Sequence, residues 1–292
     1  MFPLDNYQKA ASVADAIQHL SSNPDARVIA GGTDVLIRLR DGKTAFSHLV
    51  DIHDLEELNR CEMTDDGTIR IGSGVTFTRI IESDIIHDHL PHLHTAAATV
   101  GGPQIRNIAT IGGNICNGVT SADSASPLLA SNAKLIIQGP DGTRHISLSE
   151  FYEGPGKTVL KQNEILVAFA IAQEDYEGYA GDYFKYAMRE AMDIATIGCA
   201  VACRVEGNTL ADLRLAFGVA APTPIRCSTA EKAVRGEAVN EALIQKISET
   251  VVKDVNPRTS WRASKEFRIH IIKELAGRVA RKAIQKAGGN LS

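Results

Sequence analysis

Two pairs of consecutive glycines, about 80 residues apart, constrain this chain more than any other feature. The first closes the stretch Arg27-Val28-Ile29-Ala30-Gly31-Gly32-Thr33-Asp34, and the second lies in Ala109-Thr110-Ile111-Gly112-Gly113-Asn114. Paired glycines after an apolar run admit backbone conformations and close neighbours that a Cβ forbids. They also present N–H groups with no side chain in the way, which a diphosphate requires, and Thr33 and Thr110 add hydroxyls. Because the turns are so far apart, a ligand held by both would lie between two lobes. Neither fits G-x-G-x-x-G or G-x-x-x-x-G-K-[ST], so neither a Rossmann site nor a P-loop is expected. Either pair alone reads simply as a turn.

The surrounding pattern gives the organisation. Asp15 to Leu20 repeat at helical spacing, Ser21-Ser22-Asn23-Pro24 closes them, and Arg27 to Ala30 reads as a strand. Val35 to Arg40 and the strand His48 to Ile52 complete an α/β lobe of about 55 residues, too small to bury a core unaided. A second lobe opens after Asp66-Gly67 with the alternating Thr68-Ile69-Arg70-Ile71-Gly72-Ser73-Gly74, followed by helix candidates near Phe77 to Ser83 and Leu93 to Val100. Residues 101–126, rich in Gly, Asn, Thr and Ser, read as a long loop, and ordered loops of that length tend to be functional. Lys134 to Gln138 and Thr143 to Ile146 read as a hairpin turning at Gly139-Pro140-Asp141-Gly142, and Glu164 to Ile171 reads as a strand. The acidic stretch Gln173 to Asp182 reads as a linker. Beyond it come strands near Tyr183 to Ala187, Gly198 to Val205 and Thr209 to Val219, then helices over Ser228 to Arg235, Glu241 to Val252 and Ala263 to Lys286. The expected fold class is α+β. A two-lobed domain covers 1–176, with lobes of about 1–55 and 56–176, and 177–292 forms a small antiparallel sheet with helices.

Composition excludes several classes of partner. A net charge of -4 over 292 residues leaves no footprint for nucleic acid, and 44% apolar content is ordinary for a globular chain. No run approaches the roughly 18 apolar residues of a membrane span, and the opening MFPLDNYQKAASVADAIQ has no leader character, so a cytoplasmic protein without membrane contact is expected. Cys61, Cys116, Cys199, Cys203 and Cys227 never form CxxC, so no disulfide framework, zinc site or iron–sulfur ligand set is expected. Cys199 and Cys203 share a strand face and read as packing. His87, His89, His92 and His94 crowd together, but Pro91 interrupts them and no carboxylate or cysteine completes a metal set.

Taken together, the two turns resemble something specific. AGGTDVL followed by ATIGGN resembles the FAD-binding fold shared by vanillyl-alcohol oxidase, the carbon monoxide dehydrogenase flavoprotein and the medium subunit of xanthine dehydrogenase. RNIATIGGNICNG followed by SADSASPLLA resembles the flavin loop of the molybdenum hydroxylase branch, and PIRCSTAEKAV with WRASKEFRIHIIKELAGRVARKA is similar to its C-terminal domain. The resemblance covers residues 1–285. It implies a vanillyl-alcohol oxidase type FAD-binding domain followed by a carbon monoxide dehydrogenase flavoprotein-like C-terminal domain, with FAD as cofactor. Carried over by motif, it implies that Arg27, Val28, Ile29, Ala30, Gly31, Gly32, Thr33 and Asp34, with Ala109, Thr110, Ile111, Gly112 and Gly113, wrap the diphosphate and ribityl region. Asn114, Thr120 and Asp123 would lie along the second flavin loop. Ile165 matches a position whose backbone approaches the flavin, Phe184-Lys185 a phenylalanine–lysine pair beside it, and Ile194 an aliphatic residue over the ring face. One departure leaves the electron acceptor open: NAD-using animal members carry two acidic residues before that isoleucine, and this chain has Met192-Asp193.

The resemblance implies an electron-transfer subunit with no catalytic acid or base. Its partners would be an iron–sulfur subunit, which supplies the cluster ligands missing here, and a large molybdopterin-binding subunit, with NAD as acceptor and a purine as substrate of the complex. A self-contained flavin oxidase and a flavin-binding scaffold remain as alternatives. At single positions, Asp34 reads equally as a helix N-terminal acid, and Lys185 on a strand as a solvated side chain. The basic residues Arg262, Lys265, Arg268, Lys273, Arg278, Arg281 and Lys282 read as a solvated face or a docking surface.

Overall fold

In the computed structural model the first lobe grows from β1 (Asn6–Lys9), which leads into α1 (Val13–Ser22). The structure describes residues 4–291; the end positions 1–3 and 292 of the two expected domains lie outside the described residues. Ser12 caps α1 by accepting from the Asp15 amide, and Val13, Ala16, Ile17 and Leu20 form its buried stripe. β2 (Arg27–Ile29), α2 (Val35–Arg40) and β3 (His48–Asp51) follow, and the three strands pair in parallel in the order β1-β3-β2. β1, mostly exposed at the sheet edge, carries no apolar alternation that its sequence could have shown. The lobe has no self-sufficient core: Ala16, Ile17, Leu20 and Val50 pack with Ile165, Val167 and Ala168 of the second lobe.

The second lobe is built on an antiparallel sheet. β4 (Cys61–Met63), β5 (Ile69–Gly72), β6 (Lys134–Gly139) and β7 (Gly142–Ser147) belong to it, the small pair β8 (Tyr152–Gly154) and β9 (Lys157–Thr158) stands aside, and β10 (Ile165–Ile171) runs through the middle. The order is β4-β5-β10-β6-β7. Helices α3 (Phe77–Ile81), α4 (Asp84–His89) and α5 (Pro91–Ala98) pack over it, Pro91 ending one helix and starting the next. The expected long loop is interrupted by short helices instead. It holds α6 (Pro103–Arg106), α7 (Ile111–Cys116) and the start of α8 (Ala125–Ala130). Two glycines hide α7 from any propensity argument, while its N-cap Thr110 accepts from the Gly113 amide at 3.1 Å.

The expected linker is also shorter, since Ala180 to Asp182 already belong to β11 (Ala180–Tyr186). β12 (Ile197–Glu206), β13 (Thr209–Gly218) and β14 (Ile225–Arg226) complete a four-stranded antiparallel sheet in sequence order. Both its faces are covered. Ala200, Ala202 and Ala216 join the core of the second lobe, where their small side chains let α8 lie close. Cys199, Val201, Cys203 and Leu215 face the layer of α9 (Ser228–Val234), α10 (Glu241–Thr250) and α11 (Lys265–Lys286), so the two cysteines are packing residues as expected. One member of the basic stripe is not solvated: Arg268 is 2% exposed. It stands one turn before Ile272, Leu275 and Val279 at heptad-like spacing, which puts it on the buried face. Among the described residues no helix is long and apolar enough to cross a membrane.

Candidate functional site

A cleft of about 780 Å³ opens where both lobes meet the C-terminal domain, a volume in the usual range for a bound organic ligand. Arg27, Val28, Ala30, Gly31, Gly32, Thr33 and Asp34 line it from the first glycine turn. Ala109, Thr110, Gly112, Gly113 and Asn114 line it from the second, and Asp123, Ile165 and Ile194 are also brought to its wall. Ile29 and Ile111 are buried in the core behind the turns, and Phe184 and Lys185 lie off the wall.

The first turn is an open nest. The amides of Gly31, Gly32, Thr33 and Asp34 meet no protein acceptor among the described residues, and Gly32 has φ 71°, a left-handed conformation of the kind that turns successive N–H groups to one side. Gly31 answers to a different demand: a Cβ there would stand 2.0 Å from the Ile108 carbonyl oxygen, so its bareness lets the two loops touch. Asp34 precedes α2 without a side-chain capping hydrogen bond. One turn later Arg38 crosses to Asn117 Oδ1 at 2.6 Å and lines the cleft.

The second turn differs, contrary to the symmetrical expectation. Its amides are largely taken by the protein: Ile111 donates to Val75 O (3.0 Å), Gly112 to Ser73 O (2.8 Å), Gly113 to Thr110 Oγ1 (3.1 Å) and Asn114 to Thr110 O (3.0 Å). It is a helix start leaning on the end of β5. A Cβ on Gly112 would lie 2.5 Å from Ser73 Cβ, whereas on Gly113 it would meet only Thr110 Oγ1 at 3.1 Å, so Gly113 leaves open space. Ser73 Oγ is buried, lines the same cleft and has no partner. A run of free amides, an orphaned hydroxyl, an open glycine and the Arg38 cation together fit a dinucleotide with a charged diphosphate. Ser73, Arg38 and Asn117 were not found from the sequence; Ser73 directly follows the β5 alternation, but nothing local shows which way it faces.

The C-terminal domain straps down the loop after α7. Buried Asp123 accepts from Tyr183 Oη at 2.9 Å and from Lys185 Nζ at 2.8 Å, and Lys185 also donates to Thr99 O at 3.0 Å. Lys185 is therefore a paired, buried cation and not a solvated side chain. Burial pushes the Asp123 carboxyl above its usual range, against the opposing pull of Lys185 and Tyr183. Thr120 accepts from the Val219 amide at 3.0 Å and donates to Ala221 O at 3.2 Å. Met192, with φ 55°, packs its sulfur where a Cβ on Gly102 would stand 2.4 Å away, and Asp193 is held by the Arg189 and Ile194 amides at 3.0 and 2.8 Å. The four histidines do not converge. His92 Nε2 meets Ser131 Oγ at 2.7 Å, His87 pairs with Asp88, His94 donates to Ile81 O, His89 packs on the Tyr176 ring, and no metal-type cluster exists among the described residues.

Known proteins resemble this chain along nearly its whole length. Residues 2–173 match the family described as "FAD binding domain in molybdopterin dehydrogenase", and residues 182–283 match the "CO dehydrogenase flavoprotein C-terminal domain". The chain is 52% identical to the xanthine dehydrogenase FAD-binding subunit of Escherichia coli, over 100% of both chains. It is 31% identical to the glyceraldehyde dehydrogenase medium chain of Sulfolobus acidocaldarius, over 94% of this chain and 97% of that one. Carbon monoxide dehydrogenase of Hydrogenophaga pseudoflava contains a chain that superposes with a TM-score of 0.92 at 29% identity, covering 97% of this chain and 98% of that chain.

Proposed function

This chain belongs to the FAD-binding subunits of the molybdopterin dehydrogenases, the family of xanthine and carbon monoxide dehydrogenases, and from that premise we propose that it is the electron-transfer subunit of a xanthine dehydrogenase-type complex. It is a flavin-binding subunit of an oxidoreductase. The observation that supports its working in this cleft is the run of four unpaired amides from Gly31 to Asp34 opposite the orphaned Ser73 hydroxyl. In this reading those amides, the Thr33 hydroxyl and Arg38 hold the FAD diphosphate, and Gly113 leaves room for it. Ile165 and Ile194 bound the ring system, while Lys185 acts on the site through Asp123. Bound FAD supplies the exchange between single electrons, taken from iron–sulfur clusters on a neighbouring chain, and the electron pair passed to NAD. The chain's own residues bind and orient, and none of them is assigned a proton transfer. Hydroxylation of a purine belongs to a molybdopterin-binding partner.

Anaerobic bleaching of the visible flavin absorbance tests this. The isolated chain should be bleached by NADH and left unchanged by hypoxanthine, and the assembled complex should respond to both. Purine-driven bleaching of the lone chain would establish a self-contained oxidase instead.

A further inference from the structure

Three arginines gather around the start of α11, and Glu266, the acid of its first turn, forms an ion pair with none of them among the described residues. The buried Arg268 guanidinium donates to the Thr196 carbonyl and to Ser260 Oγ at 2.9 Å, and its Nε has no partner. Arg258 and Arg262 lie close enough for their charges, after burial itself, to lower its proton affinity. Arg262 Nε and Thr196 Oγ1 are likewise buried and unpartnered. None of the three arginines forms an ion pair among the described residues, whereas buried Arg214 sits 3.0 Å from Asp175 and 3.3 Å from Asp212. A buried guanidinium without a counter-charge is costly, so this corner of the fold lacks one anion.

The surface beside it is apolar. Trp261 is 76% exposed with Arg262 stacked 4.2 Å from its ring centroid, and Phe267 is 44% exposed against the Tyr186 ring. The Thr196 amide donates to Tyr186 O at 2.8 Å, and Thr196 lies two residues beyond the half-exposed, cleft-lining Ile194, so the segment that backs the patch also reaches the wall of the flavin cleft. Exposed aromatic anchors beside arginines form the composition of a protein-docking centre. A free inorganic anion would satisfy the charge and leave the indole uncovered, whereas an acidic segment of another chain does both.

We propose that Arg258 and Arg262 receive a carboxylate from an acidic segment of the iron–sulfur subunit, whose charge also offsets the buried Arg268, with Trp261 and Phe267 as the apolar anchors beside it. This rests on the electron-transfer reading above, which requires that partner to approach the flavin cleft. The test uses the full chain with bound FAD, as wild type, Arg262→Glu and Trp261→Ala, titrated calorimetrically with the purified iron–sulfur subunit at two salt concentrations. The expected result is wild-type binding that weakens with salt, at least tenfold weaker binding by each variant, and an unchanged flavin content, since neither residue lines the cleft. Trp261→Ala removes a surface side chain, so it keeps the test valid if Arg262→Glu fails to fold. Variants that bind the partner like wild type overturn the proposal, as does inorganic phosphate that stabilises the isolated chain while partner affinity ignores both substitutions. Flavin-loaded wild type that does not bind the iron–sulfur subunit at all removes the electron-transfer reading itself, a result distinct from normal assembly of the variants.

Discussion

A Cβ at Gly112 would stand 2.6 Å from the Ser73 carbonyl oxygen, so Gly112→Ala forces α7 off the strand end that supports it. Overpacking of this kind costs about 1–3 kcal/mol, and thermal unfolding of the flavin-free protein should show it directly. Gly113→Ala should behave oppositely: its one near neighbour is Thr110 Oγ1, and alanine favours a helix, so the fold is retained while FAD affinity falls. Flavin fluorescence titration separates the two, and a Gly113→Ala chain that binds FAD like wild type would refute the assignment of that face to the ligand. Thr33→Ala removes one hydroxyl beside a charged group and should weaken FAD binding by about 1–2 kcal/mol with no change in melting temperature.

Helix α5 meets strand β11 through a histidine that must stay neutral. Ser131 donates its single hydroxyl proton to Pro127 O at 3.0 Å, so His92 Nε2 donates to Ser131 Oγ, and bare Nδ1 faces Gly181. Burial lowers the His92 pKa from 6.5 to about 4. The unfolded chain therefore takes up a proton between those values that the folded chain refuses, so stability is full above pH 6.5 and declines as pH falls toward 4. His92→Gln should flatten that acid limb in denaturant titrations across pH, and an unchanged slope would mean that His92 is not its source. At α7, Thr110→Ala removes the N-cap and should cost about 1 kcal/mol, measured the same way.

Across the whole molecule, the C-terminal domain grips the loop after α7 through Lys185 and Asp123, whose side chains are only 8% and 9% exposed. Lys185→Met leaves a buried carboxylate unpaired, an effect of about 3 kcal/mol or more, and Asp123→Asn in the same chain should recover much of it. A double-mutant cycle on melting temperature and FAD retention measures the coupling, and additive losses would show that the pair is no clamp. The same dependence holds in the first lobe, where Ile29, Leu39 and Leu49 form a small cluster of their own while Ala16, Ile17, Leu20 and Val50 complete their core against Ile165, Val167 and Ala168 of β10.

The sequence alone determined the motifs and most regular elements, because hydrophobic period and glycine placement are local properties. The glycine pairs, the hairpin at Gly139–Gly142, the three long strands of the C-terminal sheet and the apolar stripe of α11 all belong to this class. α4 and β1 were not legible: one is a short helix of 6 residues cut off just before Pro91, the other an edge strand of polar residues. Only the tertiary structure decided what each glycine is for, since Gly31 and Gly112 answer to backbone atoms of Ile108 and Ser73 that no sequence spacing brings near. It also decided that Lys185 is paired and that Arg268 is buried. The burial and pairing of a charge depend on which distant group arrives beside it, and chain topology settles that where composition does not.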